Sequence, residues 1–271
     1  MARKLSIKEY HAAEGLSKTM MDKLKKSPAH LKAYLDNPTE ETEAMLLGAA
    51  LHTMILEPKK FDIEYAVLPN IDRRTKDGKE EYQAFIEQNA GKEVLTESQF
   101  NTVKTWVDAI LSKPKVKELL TGKGKNEVSI FWKDEETGET CKARPDRIKD
   151  KRIIDLKTAV SAQQDDFQRK AYDLNYHIQA AWFMEAYRHE YHEEPEGFTF
   201  IVVEKTDPFN VVIYDADDFF INVGEIESQK LLNIYHECKR TNNWYGYDGE
   251  KQEIQTLGLP SYIISKYMEE L

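Results

Sequence analysis

Two carboxylates and one lysine lie within twelve residues near the middle of the chain. Asp155 and Lys157 are two apart among strand-forming Ile and Leu residues, so a β-strand would place both on one face. Asp146 follows Pro145 one hairpin length upstream, and a turn at 149–151 would bring its carboxylate beside Asp155. Carboxylates are hard ligands suited to Mg²⁺ or Mn²⁺, which leaves the lysine free to orient or deprotonate water. The pattern therefore indicates metal-assisted hydrolysis.

An Asp-x-Lys sequence in a strand has a simpler interpretation when it stands alone. It is common on solvated sheet faces, where the two charges form a weak surface ion pair. The Pro-Asp pair nine residues before Asp155 favours the catalytic interpretation, because it supplies the second carboxylate at hairpin distance.

Three further side chains are candidates for the same site. Glu127 starts the predicted strand that precedes Asp146 and could supply a third carboxylate, although an exposed position is the simpler expectation. Gln179 lies on a helical face with aromatic residues, where a buried amide needs hydrogen-bond partners. His52 lies in a stripe of small and apolar residues and is either a core histidine or part of the site. Gly48 and Ala49 beside it would allow another element to approach closely.

The composition is that of one folded domain with a sizeable core, since 41% of the 271 residues are hydrophobic and 32% are charged. No apolar run is long enough to cross a bilayer, and the N-terminus lacks the apolar core of a signal peptide. Cys141 and Cys238 provide neither a disulfide framework nor a zinc-ligand pattern. We expect a reducing, cytoplasmic compartment.

The net charge of −10 argues against broad attraction to nucleic acid, so any contact with phosphates must be local. Basic residues are concentrated in three segments, each of which alone is more often a solvated surface. Together these three segments could form a basic groove on an otherwise acidic protein surface. The segments contain Lys23, Lys25, Lys26 and Lys32; Arg73, Arg74, Lys76 and Lys79; and Lys113, Lys115, Lys117, Lys123 and Lys125.

Caps and apolar spacing predict the helices of the first half. Ser27-Pro28 begins a helix through Leu35, because serine caps the end and proline fits the first turn. A second helix is predicted at 39–57, and residues 69–80 are predicted to form a loop. Thr96 and Gln99 form a capping box for a third helix, which ends at Lys113-Pro114.

Strand periodicity begins near residue 127. Strands at 127–132, 141–146 and 152–157 predict a β-meander that carries the carboxylates. A helix is predicted at about 165–189, a hairpin from 198–204 and 211–214, and a helix at about 218–241. This α/β order predicts a central mixed β-sheet flanked by helices. The tail from Trp244 to Ile264 is either a subunit or partner contact or packs on its own domain.

Six segments resemble the phage and prophage RecE-like exonucleases, the exodeoxyribonuclease VIII group of the PD-(D/E)xK superfamily, with lambda exonuclease a more distant relative. They are residues 15–30, 47–58, 72–79, 141–147, 154–158 and 176–183, and they extend over most of the chain. The motifs around His52 and Gln179 distinguish this group from restriction enzymes, which share only the Asp, Asp and Lys positions. The chain has Asp rather than Glu at 155, as the group often does.

The resemblance implies one domain over 1–271, with a helical elaboration at 1–120 and a restriction-endonuclease-like nuclease core and C-terminal tail at 121–271. It implies a catalytic set of His52, Asp146, Asp155 and Lys157, supported by Gln179. Mg²⁺, with Mn²⁺ as a substitute, would be held by Asp146, Asp155, the carbonyl of Leu156, and Glu127 or His52. DNA contacts are expected from Ser17, Lys18, Arg73, Arg74, Arg144, Arg147, Tyr172 and Tyr176.

The resemblance also implies a phage- or prophage-encoded enzyme that degrades linear double-stranded DNA from its 5′ ends. It would leave a 3′ single strand for a single-strand annealing protein and would assemble as a trimeric or tetrameric ring. A structure-selective or Cas4-like nuclease of the same fold is an alternative, but two cysteines cannot supply the four ligands of an iron–sulfur cluster. A non-catalytic DNA-end-binding module is the other alternative. It predicts a broken site, whereas every expected polar position is filled.

Overall fold

The computed structural model describes residues 3–38, 42–249 and 254–268. Its largest sheet is mixed and stands at the centre of the fold. The strands are β1 (Tyr65–Leu68), β2 (Glu93–Thr96), β3 (Lys125–Asn126), β4 (Ile130–Lys133), β5 (Thr140–Ala143), β6 (Arg147–Lys149), β7 (Arg152–Ala159), β8 (Gly197–Glu204) and β9 (Val211–Asp215).

Helices surround this sheet and make up most of the first half of the chain. They are α1 (Ile7–Ala12), α2 (Lys18–Lys26), α3 (Pro28–Asp36), α4 (Glu43–Leu56), α5 (Pro58–Glu64), α6 (Lys76–Gln88), α7 (Glu97–Ser112), α8 (Pro114–Leu120), α9 (Gln164–Asp173), α10 (Tyr176–Tyr191), α11 (Asp218–Thr241) and α12 (Ser261–Tyr267). None of the helices in the part of the chain that the structure describes is long and apolar enough to span a membrane.

The central sheet has five strands in the order β3-β6-β7-β8-β9. β7 and β8 are parallel, and α9 and α10 form the crossover between them, whereas the other neighbouring strands are antiparallel. β1 and β2 form a separate parallel pair, and β4 and β5 a separate antiparallel pair. The predicted central mixed sheet with flanking helices is confirmed.

Both faces of the sheet are covered, and the side chains of β7 alternate between them. Ile153 belongs to a core shared with α2, α10 and α11, while Ile154 and Leu156 belong to a second core shared with α4 and α7. Fully burying each such side chain contributes about 1.5–3 kcal/mol. Because the strand period is two, this packing turns Asp155 toward the α10 side.

Several helix predictions are confirmed by the structure. Ser27 caps α3 and Pro28 is its first residue, and the Thr96–Gln99 capping box begins α7. The hairpin of β8 and β9 and the boundaries of α11 also agree with the prediction. α4 begins after its cap at Thr42, and the predicted start at 39–41 lies outside the described residues.

Two predictions about where helices begin and end are wrong. The predicted loop at 69–80 ends at Thr75, which caps α6 through the backbone N–H of Gly78. A Cβ at Gly78 would lie 2.1 Å from the carbonyl oxygen of Asp72, so only glycine permits this turn to fold back closely. The predicted single helix at 165–189 is divided at Leu174 and Asn175, because Asn175 adopts a left-handed conformation with φ 57°.

The predicted β-meander is also wrong. β4 and β5 form their own hairpin, and the predicted strand at 141–146 ends at Ala143, before β6 begins a pairing with β7 in the central sheet. Glu127 is not in a strand, since its φ of 51° interrupts extended structure between β3 and β4. Asp146 consequently lies at the junction between two sheets rather than within one strand.

Candidate active site

A tight hairpin brings Asp146 beside β7. β6 and β7 are joined at Asp150 and Lys151, whose φ values of 48° and 61° are those expected of a two-residue hairpin turn. The register pairs Arg147 with Ile154, which places Asp146 one step beyond this pair. The backbone N–H of Leu156 donates to Oδ2 of Asp146 over 2.7 Å. The predicted turn at 149–151 therefore positions the carboxylate as expected.

Asp155 is completely buried and has two polar neighbours from different elements. Nε2 of Gln179 in α10 donates to its Oδ1 over 2.7 Å, and the ammonium of Lys157 pairs with its Oδ2. The ammonium also lies 4.8 Å from the centre of the Tyr176 ring. The partner of the Gln179 amide is thus the carboxylate itself, and both neighbours fix the orientation of Asp155.

His52 reaches the same place from α4. Its Nε2 donates to the carbonyl oxygen of Leu156 over 3.2 Å, while Nδ1 lies 3.5 Å from Asp146 and 3.7 Å from Glu127. One ligand atom each from His52, Glu127 and Asp146 can be chosen so that all three lie within 4.8 Å of one another. The structure therefore brings together the histidine, two carboxylates and the carbonyl that the sequence suggested as metal ligands.

These groups open into a cleft of about 420 Å³. Of the residues expected to contact DNA, Ser17, Lys18, Arg144 and Tyr176 line it. The lining also includes Ile7 and Tyr10 of α1 and Glu57 and Lys60 at the α4–α5 corner, none of which was predicted from the sequence. The capping box of Ser6 and Glu9 is the signal that would have predicted α1.

The other expected DNA contacts do not line this cleft. Arg73 lies over the Tyr82 ring, and Arg74 is exposed and bound to Asp72. Tyr172 is 58% exposed and stacks on His177. Arg147 is buried, and its guanidinium donates to Asn126 and to the carbonyl oxygens of Leu119, Thr121 and Gly122. Because these hydrogen bonds occupy its guanidinium, we do not expect Arg147 to contact DNA.

A family model matches residues 17–256, which is most of the chain. Its description is "PDDEXK-like domain of unknown function (DUF3799)". The chain belongs to this PDDEXK-like family. No curated protein sequence matches it. A crystal structure from Eubacterium rectale named "Putative exonuclease" is similar, with a TM-score of 0.62 and 14% identity over 97% of this chain and 98% of that one.

The charges of the PDDEXK-like site perturb one another strongly. Burial raises the pKa of Asp146, and the neighbouring Asp155 and Glu127 carboxylates bring it to about 7 despite the opposing effect of His52. Burial alone would lower the pKa of His52, but Asp146 and Glu127 outweigh it and raise the pKa to about 9. The imidazolium, together with Lys157 and Arg144, thus partly offsets the carboxylates.

Lys157 shows the same competition. Burial alone would lower its pKa, but the adjacent Asp155 and the nearby Asp146 outweigh this effect and raise it. Lys157 therefore remains an ammonium. Of the two roles expected from the sequence, this charge favours orienting water over removing its proton.

The donor set fits a divalent cation. Carboxylate and carbonyl oxygens are preferred by Mg²⁺ and Mn²⁺, and one imidazole nitrogen also suits Mn²⁺. The protonated His52 fills the space among Glu127, Asp146 and the Leu156 carbonyl, so deprotonation of the ring would accompany binding of an ion there. Asp155 is turned toward Lys157 and Gln179, and its role as a direct ligand remains a prediction.

Proposed function

We propose that this protein is a Mg²⁺-dependent exonuclease that hydrolyses linear double-stranded DNA. The observation that carries this proposal is that His52, Glu127, Asp146 and Lys157 line a single cleft, with the buried Asp155 paired to Lys157. Membership of the PDDEXK-like family supports a nuclease. The name of the similar Eubacterium rectale structure is consistent with exonuclease activity.

A bound divalent ion would polarise a phosphodiester and lower the pKa of a coordinated water. Asp146, Glu127, His52 and the carbonyl of Leu156 would hold this ion. Lys157 would orient the attacking water and offset the charge that develops on the phosphate. Gln179 would keep Asp155 in place, since its amide donates to the buried carboxylate.

The balance of charge in the cleft supports a need for a cation. Acidic residues in the lining are at least as numerous as basic ones, so the walls alone would not attract a phosphate strongly. The basic members are Lys18, His52, Lys60, Arg144 and Lys157, and the acidic members are Asp22, Glu57, Glu64, Glu127 and Asp146.

The direction of digestion and the assembly rest on the resemblance to RecE-like exonucleases. We propose digestion from 5′ ends, a 3′ single strand that an annealing protein receives, and a ring of three or four chains in the cytoplasm. A ring would compensate for weak electrostatic attraction, because a duplex enclosed by several subunits can leave only at an end. Arg73, Arg74 and Tyr172 are candidates for contacts outside the cleft.

The alternatives differ in what the site should contain. A Cas4-like nuclease usually has cysteines for an iron–sulfur cluster, whereas the two cysteines of this chain are both buried thiols. A non-catalytic DNA-end-binding module would not need the Lys157–Asp155 pair or the Gln179 contact. Neither alternative is favoured by a specific contact in the described residues.

The test compares three DNA substrates with purified protein and Mg²⁺. Linear duplexes labelled at the 5′ or the 3′ end, and covalently closed circles of the same sequence, are incubated with the wild type and with Lys157→Ala. We expect early release of the 5′ label as mononucleotide, slow loss of the 3′ label and intact circles. Nicked circles would show an endonuclease, and equal activity of Lys157→Ala would reject the site.

A further inference from the structure

We propose that Arg144 is a positioning residue that holds Glu127 in the metal site, rather than a contact to DNA phosphate. This inference rests on the proposed function, because it assigns Glu127 as a ligand. Nε of Arg144 donates to Oε2 of Glu127 over 2.8 Å. The other carboxylate oxygen, Oε1, is the atom that lies 3.7 Å from Nδ1 of His52. The two oxygens of Glu127 thus face different partners.

Glu127 needs this support because its local conformation does not fix it. Its φ of 51° lies in the left-handed region, which a residue with a Cβ seldom adopts. Its backbone N–H donates to the carbonyl oxygen of Asp146 over 2.9 Å, so the backbone of Glu127 is fixed beside Asp146. The side chain extends from this point and is oriented by Arg144 and His52.

Arg144 is itself held by groups that are not among the proposed metal ligands. Its Nη1 donates to the carbonyl oxygen of Leu5 over 2.9 Å and to Oγ of Ser129 over 3.0 Å. The centre of its guanidinium lies 5.9 Å from the Tyr10 ring. Only 8% of its side chain is exposed. Two segments, the one around α1 and residues 127–129, therefore fix the guanidinium, which leaves it poorly placed to follow a moving phosphate.

The anchoring segment is also held by a basic side chain of β5, which ends just before Arg144. Lys142 is buried, and its ammonium donates to the carbonyl oxygens of Tyr10, His11 and Ala13 at the C-terminal end of α1. Positive charge at this end also matches the helix dipole. Arg144 and Lys142 thus bind the two ends of the α1 segment, and α1 in turn keeps Arg144 against Glu127.

Arg147 shows that an arginine near Asp146 need not serve the site. It lies one residue after Asp146, yet its guanidinium is directed to Asn126 and to backbone carbonyls of residues 119–122. Arg144 lies two residues before Asp146 and pairs with a carboxylate of the candidate metal site. The difference in partners, not the residue type, identifies Arg144.

The sign of the effect on metal affinity separates two opposing contributions of Arg144. Its positive charge repels a cation, so removing it would strengthen metal binding if charge alone mattered. Its hydrogen bond orients Glu127, so removing it would weaken metal binding if orientation mattered more. We expect orientation to prevail, because an unheld glutamate can turn its oxygens toward solvent.

The experiment measures Mn²⁺ and Mg²⁺ binding by calorimetry without DNA, for the wild type, Arg144→Gln and Arg144→Lys. We expect about tenfold weaker metal binding in Arg144→Gln. Arg144→Lys should have an intermediate affinity, because lysine keeps the positive charge but lacks the several N–H donors of the planar guanidinium. Arg188→Gln is the matched control, since Arg188 pairs with Glu185, Glu194 and Glu225 outside the cleft. Its metal affinity should equal that of the wild type. Unchanged or stronger binding in Arg144→Gln overturns the proposal.

Cleavage assays give a second readout. Raising the metal concentration should restore most of kcat in Arg144→Gln, because the ligands themselves remain. Normal metal affinity with a raised KM for DNA would instead identify Arg144 as a phosphate contact and reject the proposal.

A double-mutant cycle separates a loss of Glu127 orientation from a general effect of the Arg144 substitution on folding. Arg144→Gln should lower metal affinity less than twofold in a Glu127→Gln background, because the group that it orients is already gone. If Arg144→Gln does not fold, Arg144→Lys carries the same cycle, and equal effects in both backgrounds reject the coupling. Wild-type protein that binds no divalent ion overturns both proposals, whereas metal binding without DNA hydrolysis overturns the proposed function alone.

Discussion

Two clusters in this molecule use a histidine and carboxylates in opposite ways. In the cleft, His52 faces both Asp146 and Glu127, and the buried Asp155 is close by. At the β4–β5 turn, Glu139 has two basic partners from α11, with His236 at 3.1 Å and Lys239 at 2.6 Å. In the first cluster, neighbouring carboxylates lie close enough to raise the pKa of Asp146, whereas in the second each oxygen of a single carboxylate has its own basic partner.

The pKa shifts follow from this difference. Burial and neighbouring carboxylates raise the pKa of Asp146 to about 7. Burial also acts to raise the pKa of Glu139, but its interactions with Lys239 and His236 outweigh this and lower it. A cluster that stabilises the fold is electrostatically satisfied, whereas one that binds a cation keeps unfavourable carboxylate interactions until the cation is present.

The largest expected effect comes from Lys157 and Asp155. We expect Lys157→Ala and Asp155→Asn each to lower kcat by about 10²- to 10⁴-fold. Lys157→Ala removes the group that orients water, and Asp155→Asn replaces a charged carboxylate with a neutral amide. Lys239→Ala, which removes an ammonium from the satisfied cluster, should leave kcat unchanged. Single-turnover cleavage of a labelled duplex measures all three. Wild-type rates in either cleft variant would show that the site is elsewhere.

The two histidines provide the next contrast. We expect His52→Ala to lower the specific activity of folded protein about 100-fold, because one of the proposed metal ligands is removed. His236→Ala should lower Tm and leave that activity intact. Circular dichroism melts with and without Mg²⁺, combined with active-site-normalised rates, separate these outcomes. A His52→Ala activity loss that only follows the unfolded fraction would make His52 a structural residue.

Glu139→Gln tests how the stabilisation from the Glu139, His236 and Lys239 cluster depends on pH. We expect it to lower the free energy of unfolding by about 1–2 kcal/mol at neutral pH, because Lys239 and His236 lose a charged partner but are themselves partly exposed. The folded pKa of Glu139 lies below its ordinary value of 4.5, so this stabilisation is complete above that pH. It is lost as the pH falls through the folded pKa. Denaturant titrations of both proteins from pH 7 to pH 3 measure the difference, which should shrink on acidification.

The smallest effect is expected outside both clusters. Replacing Arg73 and Arg74 by Ala should weaken duplex binding modestly and reduce the salt slope by about 0.9 for each phosphate that is no longer neutralised. Asp72 already offsets part of the Arg74 charge, so Arg73 should contribute more. Fluorescence anisotropy from 50 to 200 mM salt tests each single variant. An unchanged slope would make this loop an ordinary solvated surface.

The sequence alone determined the features that depend on near neighbours. The strand period of Ile153 to Lys157 predicted that Asp155 and Lys157 share a face, and the short turn at 149–151 predicted that Asp146 would join them. The Thr96–Gln99 capping box and the proline at position 28 fixed two helix starts for the same reason. Such features are encoded locally because backbone preference and side-chain period act over a few residues.

Only the tertiary structure decided how the distant candidate groups meet Asp146 and Asp155 and which atoms face one another. His52 lies on α4 far upstream of Asp146, and only the packing of that helix against β7 brings its ring to the Leu156 carbonyl. The left-handed conformation of Glu127 turned a predicted strand residue into a neighbour of Asp146. Arg144 and Arg147 are the same residue type three positions apart, yet their partners differ, because Arg144 follows the end of β5 in the separate hairpin and Arg147 begins β6 of the central sheet. These outcomes require long-range packing, which no local pattern specifies.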